Sequence, residues 1–118
     1  MELSERLDLF MSSGQISEAS YKALLRVIDM FKQQYGLILT EENGAMFITH
    51  LSIAGERIKR QEFVEPVDKE IYKEIENDPD FGKAEQVFAF IQQEMNISIP
   101  DNEKGYIMLH LCTLFKLK

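Results

Sequence analysis

Two histidines are the side chains best suited to chemistry in this 118-residue chain. His50 has Phe47, Leu51 and Ala54 at −3, +1 and +4, and His110 has Ile107, Leu111 and Leu114 at the same offsets. On a helix, each imidazole then lies about 60° around from its apolar stripe, at the margin between core and solvent. Met46 and Tyr106 stand one turn before them, and Asn43 and Glu103 two turns before. The matched neighbourhoods suggest equivalent positions in a pseudo-symmetric arrangement. Neutral imidazole, with an unperturbed pKa of about 6.5, is a nucleophile at neutral pH and can accept a phosphoryl group on nitrogen. The product carries about two new negative charges, enough to shift an association equilibrium. Arg57 lies seven residues after His50, about 10.5 Å along the same helix face. Its planar fork suits a phosphate or carboxylate. Leu117 takes that offset from His110, so a cation there must come from elsewhere in the fold. A histidine at the edge of an apolar stripe is also an ordinary packing residue, and spacing alone leaves both readings open.

The elements that must position these side chains are helical. Leu3, Leu7, Phe10 and Met11 predict a short first helix that stops at Ser12-Ser13-Gly14. Ser17 reads as an N-cap, with Ile16 and Tyr21 at staple spacing. Tyr21, Leu24, Leu25, Ile28, Phe31 and Tyr35 follow at helical spacing, and Gly36 sits where a left-handed terminator belongs. Thr40 caps the His50 helix, which carries Phe47, Leu51, Ala54 and Ile58 and runs to about Arg60. Pro66 is expected to open a shorter helix with Ile71, Tyr72 and Ile75. After the turn at Asn77-Asp78-Pro79-Asp80, Phe81, Ala84, Phe88, Ile91 and Met95 form the clearest amphipathic stripe. A last helix runs from about Asp101 to Phe115. Leu37-Ile38-Leu39 and Ile97-Ser98-Ile99 are too short for more than connectors. The expectation is an all-α bundle of about five helices with a short extra one at the N-terminus.

Composition bounds the function. The chain is 45% hydrophobic and 28% charged, which is globular. At this size it is one domain that buries about two-thirds of its open-chain surface. A net charge of −7 makes it a poor binder of phosphate backbones. No apolar run approaches the length of a membrane span, and Met1-Glu2-Leu3-Ser4-Glu5-Arg6 has no signal-peptide pattern. One cysteine rules out an internal disulfide and fits a reducing, cytoplasmic setting. Cys112 follows His110 by two residues, which points the two side chains apart on a helix and argues against a shared metal. Met46, Met95 and Met108 read as core filling, with an adaptable contact surface as the alternative. The acidic stretch Glu65, Asp68, Glu70, Glu74, Glu76, Asp78 and Asp80 reads as a solvated face, with Lys69 and Lys73 giving local pairs. No phosphate loop, serine triad or carboxylate pair supports an enzyme, and no cofactor is implied.

Two segments carry a family resemblance. Phe47-Ile48-Thr49-His50-Leu51-Ser52-Ile53-Ala54-Gly55-Glu56-Arg57 is similar to a pattern H-[ILV]-x-[FI]-A-x-x-R. Ile99-Pro100-Asp101-Asn102-Glu103-Lys104-Gly105-Tyr106-Ile107-Met108-Leu109-His110-Leu111 resembles P-x-x-E-x-x-Y-[ILT]-x-x-H. Both patterns are those of the PTS regulation domain (PRD) family of sugar-responsive antiterminators and activators, which the chain therefore resembles, and Asp78 through Ile91 resembles that family's fourth helix. The resemblance spans about Ser17 to Phe115 of one domain covering residues 1–118. It implies a five-helix module that forms a homodimer and is phosphorylated on histidine by HPr or a sugar-specific enzyme IIB. His50 and His110 are then the phosphoacceptors. Arg57, Glu103 and Tyr106 support them, either Glu103 or Tyr106 being placed to orient the His110 imidazole. Glu103 can equally serve only to stabilise its helix N-terminus. Typical members fuse two such modules to a nucleic-acid-binding domain. This chain carries one, and Met1 to Gln15 is neither basic nor long enough to read RNA or DNA. The expectation is a cytoplasmic, non-enzymatic regulatory module acting through protein partners in transcription or carbohydrate uptake. The alternative is a helical interaction module indifferent to phosphate.

Overall fold

Ser17 and Thr40 start the two longest helices by satisfying backbone N–H groups that no preceding turn can reach. The Ser17 hydroxyl accepts from the Ser20 N–H at 3.1 Å. Thr40 and Asn43 form a reciprocal capping box: Asn43 N–H donates to Thr40 Oγ1 at 3.3 Å, and Thr40 N–H donates to Asn43 Oδ1 at 2.7 Å. The computed structural model describes residues 2–117, among which there are six α-helices and no strand. They are α1 (Leu3–Ser12), α2 (Glu18–Tyr35), α3 (Glu41–Lys59), α4 (Lys69–Glu76), α5 (Phe81–Met95) and α6 (Asp101–Lys116). Gly36 ends α2 in the left-handed region at φ 65°, as its position suggests.

The core lies where α5 packs on both α2 and α6 and where α3 packs along α6. Leu24, Val27 and Phe31 of α2 meet Ala84, Val87 and Ile91 of α5 and Met108 and Leu111 of α6 in one buried cluster. Each large apolar side chain buried this way contributes about 1.5–3 kcal/mol. Phe31 stands edge-on to Phe47 with ring centroids 6.1 Å apart and tilts against Phe115 at 5.8 Å. The sequence stripe on α5 faces the core, with Ala84, Phe88, Ile91 and Met95 buried and Phe81 packed at its edge. α1 closes over α2 and α3, anchored by buried Leu3 and Leu7 and by the Arg6–Glu41 ion pair.

Three expectations about the chain need correction. Pro66 does not open a helix. α4 begins at Lys69, because Asp68 supplies the cap by accepting the Glu70 N–H at 2.8 Å. The preceding residues are instead strapped across α6, where the Val67 side chain packs on Gly105. Met46 is not core: it is 68% exposed, whereas Met95 and Met108 are buried. The acidic stretch is not wholly solvated either. Asp78 and Asp80 pair with Lys116, and neither Lys69 nor Lys73 forms an ion pair among the described residues.

Candidate functional site

Packing α3 along α6 brings the two histidines together. Phe47, Ile48 and Leu51 of α3 and Ile107 and Leu111 of α6 are all buried. With those rows sealed, the adjacent marginal rows of the two helices face each other. His50 Nδ1 lies 2.8 Å from His110 Nε2, with the rings edge-on at 79° and their centroids 4.8 Å apart. One of these nitrogens must carry the hydrogen and the other must accept it. The expected two equivalent sites are therefore one site with unequal halves. His50 is exposed, and His110 is half-buried with its ring against Phe47. Burial, and secondarily the neighbouring His50, push the His110 pKa below its ordinary value of 6.5.

Arg57 and Glu103 are brought to the same place and bind each other. Arg57 Nε donates to Glu103 Oε2 at 2.7 Å and a terminal guanidinium nitrogen donates to Oε1 at 2.8 Å. The carboxylate is 1% exposed and the guanidinium side chain 27%. These hydrogen bonds push the Arg57 pKa further above its already high value, so the cation is permanent. Leu117 offers His110 no cation, and Arg57 of α3 lines the same cavity as His110.

Neither residue expected to orient the His110 imidazole does so. Both Glu103 oxygens are engaged by Arg57, and the Tyr106 hydroxyl donates to the Glu65 carbonyl at 2.7 Å. Tyr106 therefore ties the 61–68 strap to α6, together with Asn102, whose amide donates to the Val64 carbonyl at 2.9 Å. That strap brings Val64 into the wall of a cavity of about 470 Å³ also lined by His50, Arg57, Glu103, Tyr106 and His110. Sequence periodicity missed Val64 because the strap has no helical period to read. Cys112 is buried, and among the described residues no group of three or more His, Cys, Asp or Glu is placed to hold a metal. No helix among them is long and apolar enough to cross a membrane.

An all-helical chain with a paired-histidine site on two adjacent helices defines a class. The PRD domain family profile matches residues 25–113, and the chain belongs to the PRD domain family. It is also similar to the "Uncharacterized protein YhfY" of Escherichia coli (strain K12), with 26% identity over 113 residues, 96% of this chain and 94% of that protein. No solved structure matches. Membership assigns a regulatory module of the sugar phosphotransferase system in general terms.

Proposed function

We propose that the chain is a phosphorylation-responsive regulatory module that accepts a phosphoryl group at the His50–His110 pair. The carrying observation is the 2.8 Å contact between an exposed and a half-buried imidazole beside a cavity that Arg57 also lines. The donor is HPr or a sugar-specific enzyme IIB. Arg57, Glu103 and Tyr106 are supporting residues. The terminal nitrogen of Arg57 that Glu103 does not engage is available to a phosphoryl dianion without breaking the pair, and Tyr106 fixes the strap that walls the cavity. In this reading residues 1–118 form one domain, with its core at about 17–115. Helices α2 to α6 are the five-helix PRD module and α1 is the added helix. The module has no turnover of its own, works in the cytoplasm and does not itself read nucleic acid.

The response is association. Met46, Ile53 and Leu109, on α3 and α6 beside the histidines, are 68%, 50% and 45% exposed, an apolar surface suited to a second copy or a regulatory partner. Placing two charges within such a surface shifts the homodimer equilibrium, and the outcome is read in transcription or carbohydrate uptake. Sedimentation velocity with and without phosphoenolpyruvate, enzyme I and HPr tests this. A shift in the monomer–dimer distribution is expected that His50→Ala abolishes and His110→Ala slows. If phosphorylated and unphosphorylated protein sediment alike, the phosphate-indifferent interaction module is the correct reading, and the exposed apolar surface is the observation in its favour.

A further inference from the structure

The contact between the histidines joins different nitrogens, and this makes the two rings inequivalent as nucleophiles. His50 uses Nδ1 and His110 uses Nε2. The nitrogens left over are Nε2 on the exposed ring and Nδ1 on the half-buried one. Only one proton lies in the contact, so the pair has two neutral arrangements. In the first, His50 Nδ1–H donates to His110, and His50 Nε2 carries a free lone pair. In the second, His110 Nε2–H donates to His50, and the free lone pair is on His110 Nδ1.

Resting on the phosphoacceptor reading, we propose that the pair takes one phosphoryl group only, on Nε2 of His50, and that His110 is the positioning residue that holds His50 in the Nδ1–H form. Two features of the site favour this arrangement. The free nitrogen of the first form belongs to the ring that a donor can approach, whereas a dianion on the half-buried ring would be desolvated against Phe47. Burial also disfavours positive charge on His110, which keeps that ring neutral, with a lone pair that can accept from His50 Nδ1–H.

The His50 Nε2 lone pair forms the N–P bond, while the bond from phosphorus to the donor nitrogen breaks and its electron pair leaves with the donor. The His50 ring becomes cationic as the bond forms. The phosphoryl dianion on that ring offsets the cation, and the Nδ1 proton stays in the 2.8 Å contact, donated to His110 Nε2. His110 Nε2 is occupied by that hydrogen bond and its Nδ1 carries the ring's own hydrogen, so His110 offers no free lone pair as a nucleophile. A second dianion on a ring whose centroid is 4.8 Å from the first would also be strongly repelled.

The test uses the full chain labelled with ¹⁵N at histidine and potassium phosphoramidate as a donor that needs no partner protein. Long-range ¹H–¹⁵N correlation spectra assign the tautomer of each ring and the phosphorylated nitrogen, and intact mass counts the groups. Wild type should hold His50 as the Nδ1–H tautomer and gain one phosphoryl group, on His50 Nε2. In His110→Ala, His50 should revert to the Nε2–H form that free neutral imidazole favours, and phosphorylation should slow about tenfold or more. His110→Gln, whose side-chain carbonyl can accept from Nδ1–H, should restore part of both; a merely structural role for His110 would not move the tautomer. Two phosphoryl groups per chain, a group on His110, or wild-type His50 in the Nε2–H form overturns this inference alone. No phosphoryl gain from phosphoramidate, phosphorylated HPr or a phosphorylated sugar-specific enzyme IIB, in folded protein, overturns the phosphoacceptor reading and this inference with it.

Discussion

Arg57 and Glu103 form a two-bond ion pair that crosses from α3 to α6, at 2.7 and 2.8 Å, and locks together the two helices that carry the histidines. The Glu103 carboxylate has almost no contact with water. Its desolvation is offset only while the guanidinium fork stays in place. Removing one partner therefore costs more than the pair contributes as a whole.

Arg57→Ala should destabilise the fold by about 3 kcal/mol, the lower end of what stranding one member of a buried pair costs. The double substitution Arg57→Leu with Glu103→Met should recover most of that loss, since it leaves no charge uncompensated. Urea unfolding followed by circular dichroism measures both. Equal stability of Arg57→Ala and wild type would show that Glu103 is not held by this pair.

Acid should weaken the fold through His110 before it does so through the carboxylates. The folded-state pKa of His110 lies below its ordinary 6.5, chiefly through burial and then through His50. Its contribution is complete above about pH 6.5 and is lost as pH falls through the folded value, because the unfolded chain binds the proton first. Asp78 and Glu41, whose pKa values are lowered by Lys116 and Arg6, act only below their ordinary values of 3.8 and 4.5. Unfolding free energy measured from pH 7 to pH 5 should fall for wild type and stay flatter for His110→Gln. Parallel slopes would contradict the placement of His110.

Gly105 is where the strap meets α6. A Cβ there would collide with one Val67 methyl, with the second at 3.1 Å and the Val67 Cβ at 3.3 Å. Gly105→Ala should cost about 1–3 kcal/mol despite its better helix propensity. It should also speed amide exchange across residues 61–68 as the strap lifts. The same substitution at Gly82, where a Cβ meets nothing within 4 Å, should stabilise instead.

Gln61 follows the C-cap of α3 at φ 58°, and the Glu62 N–H closes onto the Arg57 carbonyl at 3.1 Å. A left-handed residue costs about 1–2 kcal/mol for an ordinary side chain, partly cancelled by the greater chain entropy of glycine. Gln61→Gly should thus raise stability by about 0.5–1 kcal/mol. Asn96→Gly, at φ 53°, should gain less because asparagine tolerates this region. Thermal melts compare the two.

Local chemistry was legible in the sequence and long-range pairing was not. The Ser17 and Thr40 caps, the Gly36 terminator and the α5 stripe all depend on neighbours within a few residues, so spacing reveals them. The marginal position of each histidine was legible for the same reason. Their meeting was not, because helical periodicity says which row a side chain occupies and nothing about the row that faces it. Glu103 and Tyr106 were sought as partners of His110 on their own helix, yet their partners are Arg57 and the Glu65 carbonyl, 46 and 41 residues away. Pro66 misled because proline suits both a first helical turn and an extended strap. The choice was made by Asp68 as the cap and by Val67 against Gly105.

The central claim, that the histidine pair accepts phosphate, is tested most directly by intact mass after incubation with phosphoenolpyruvate, enzyme I and HPr, with and without a sugar-specific enzyme IIB. The protein is kept at neutral or alkaline pH, since a phosphoramidate bond is acid-labile. The account predicts the mass of one phosphoryl group on wild type and none on His50→Ala. An unchanged mass with every donor, in protein whose circular dichroism remains helical, would contradict it.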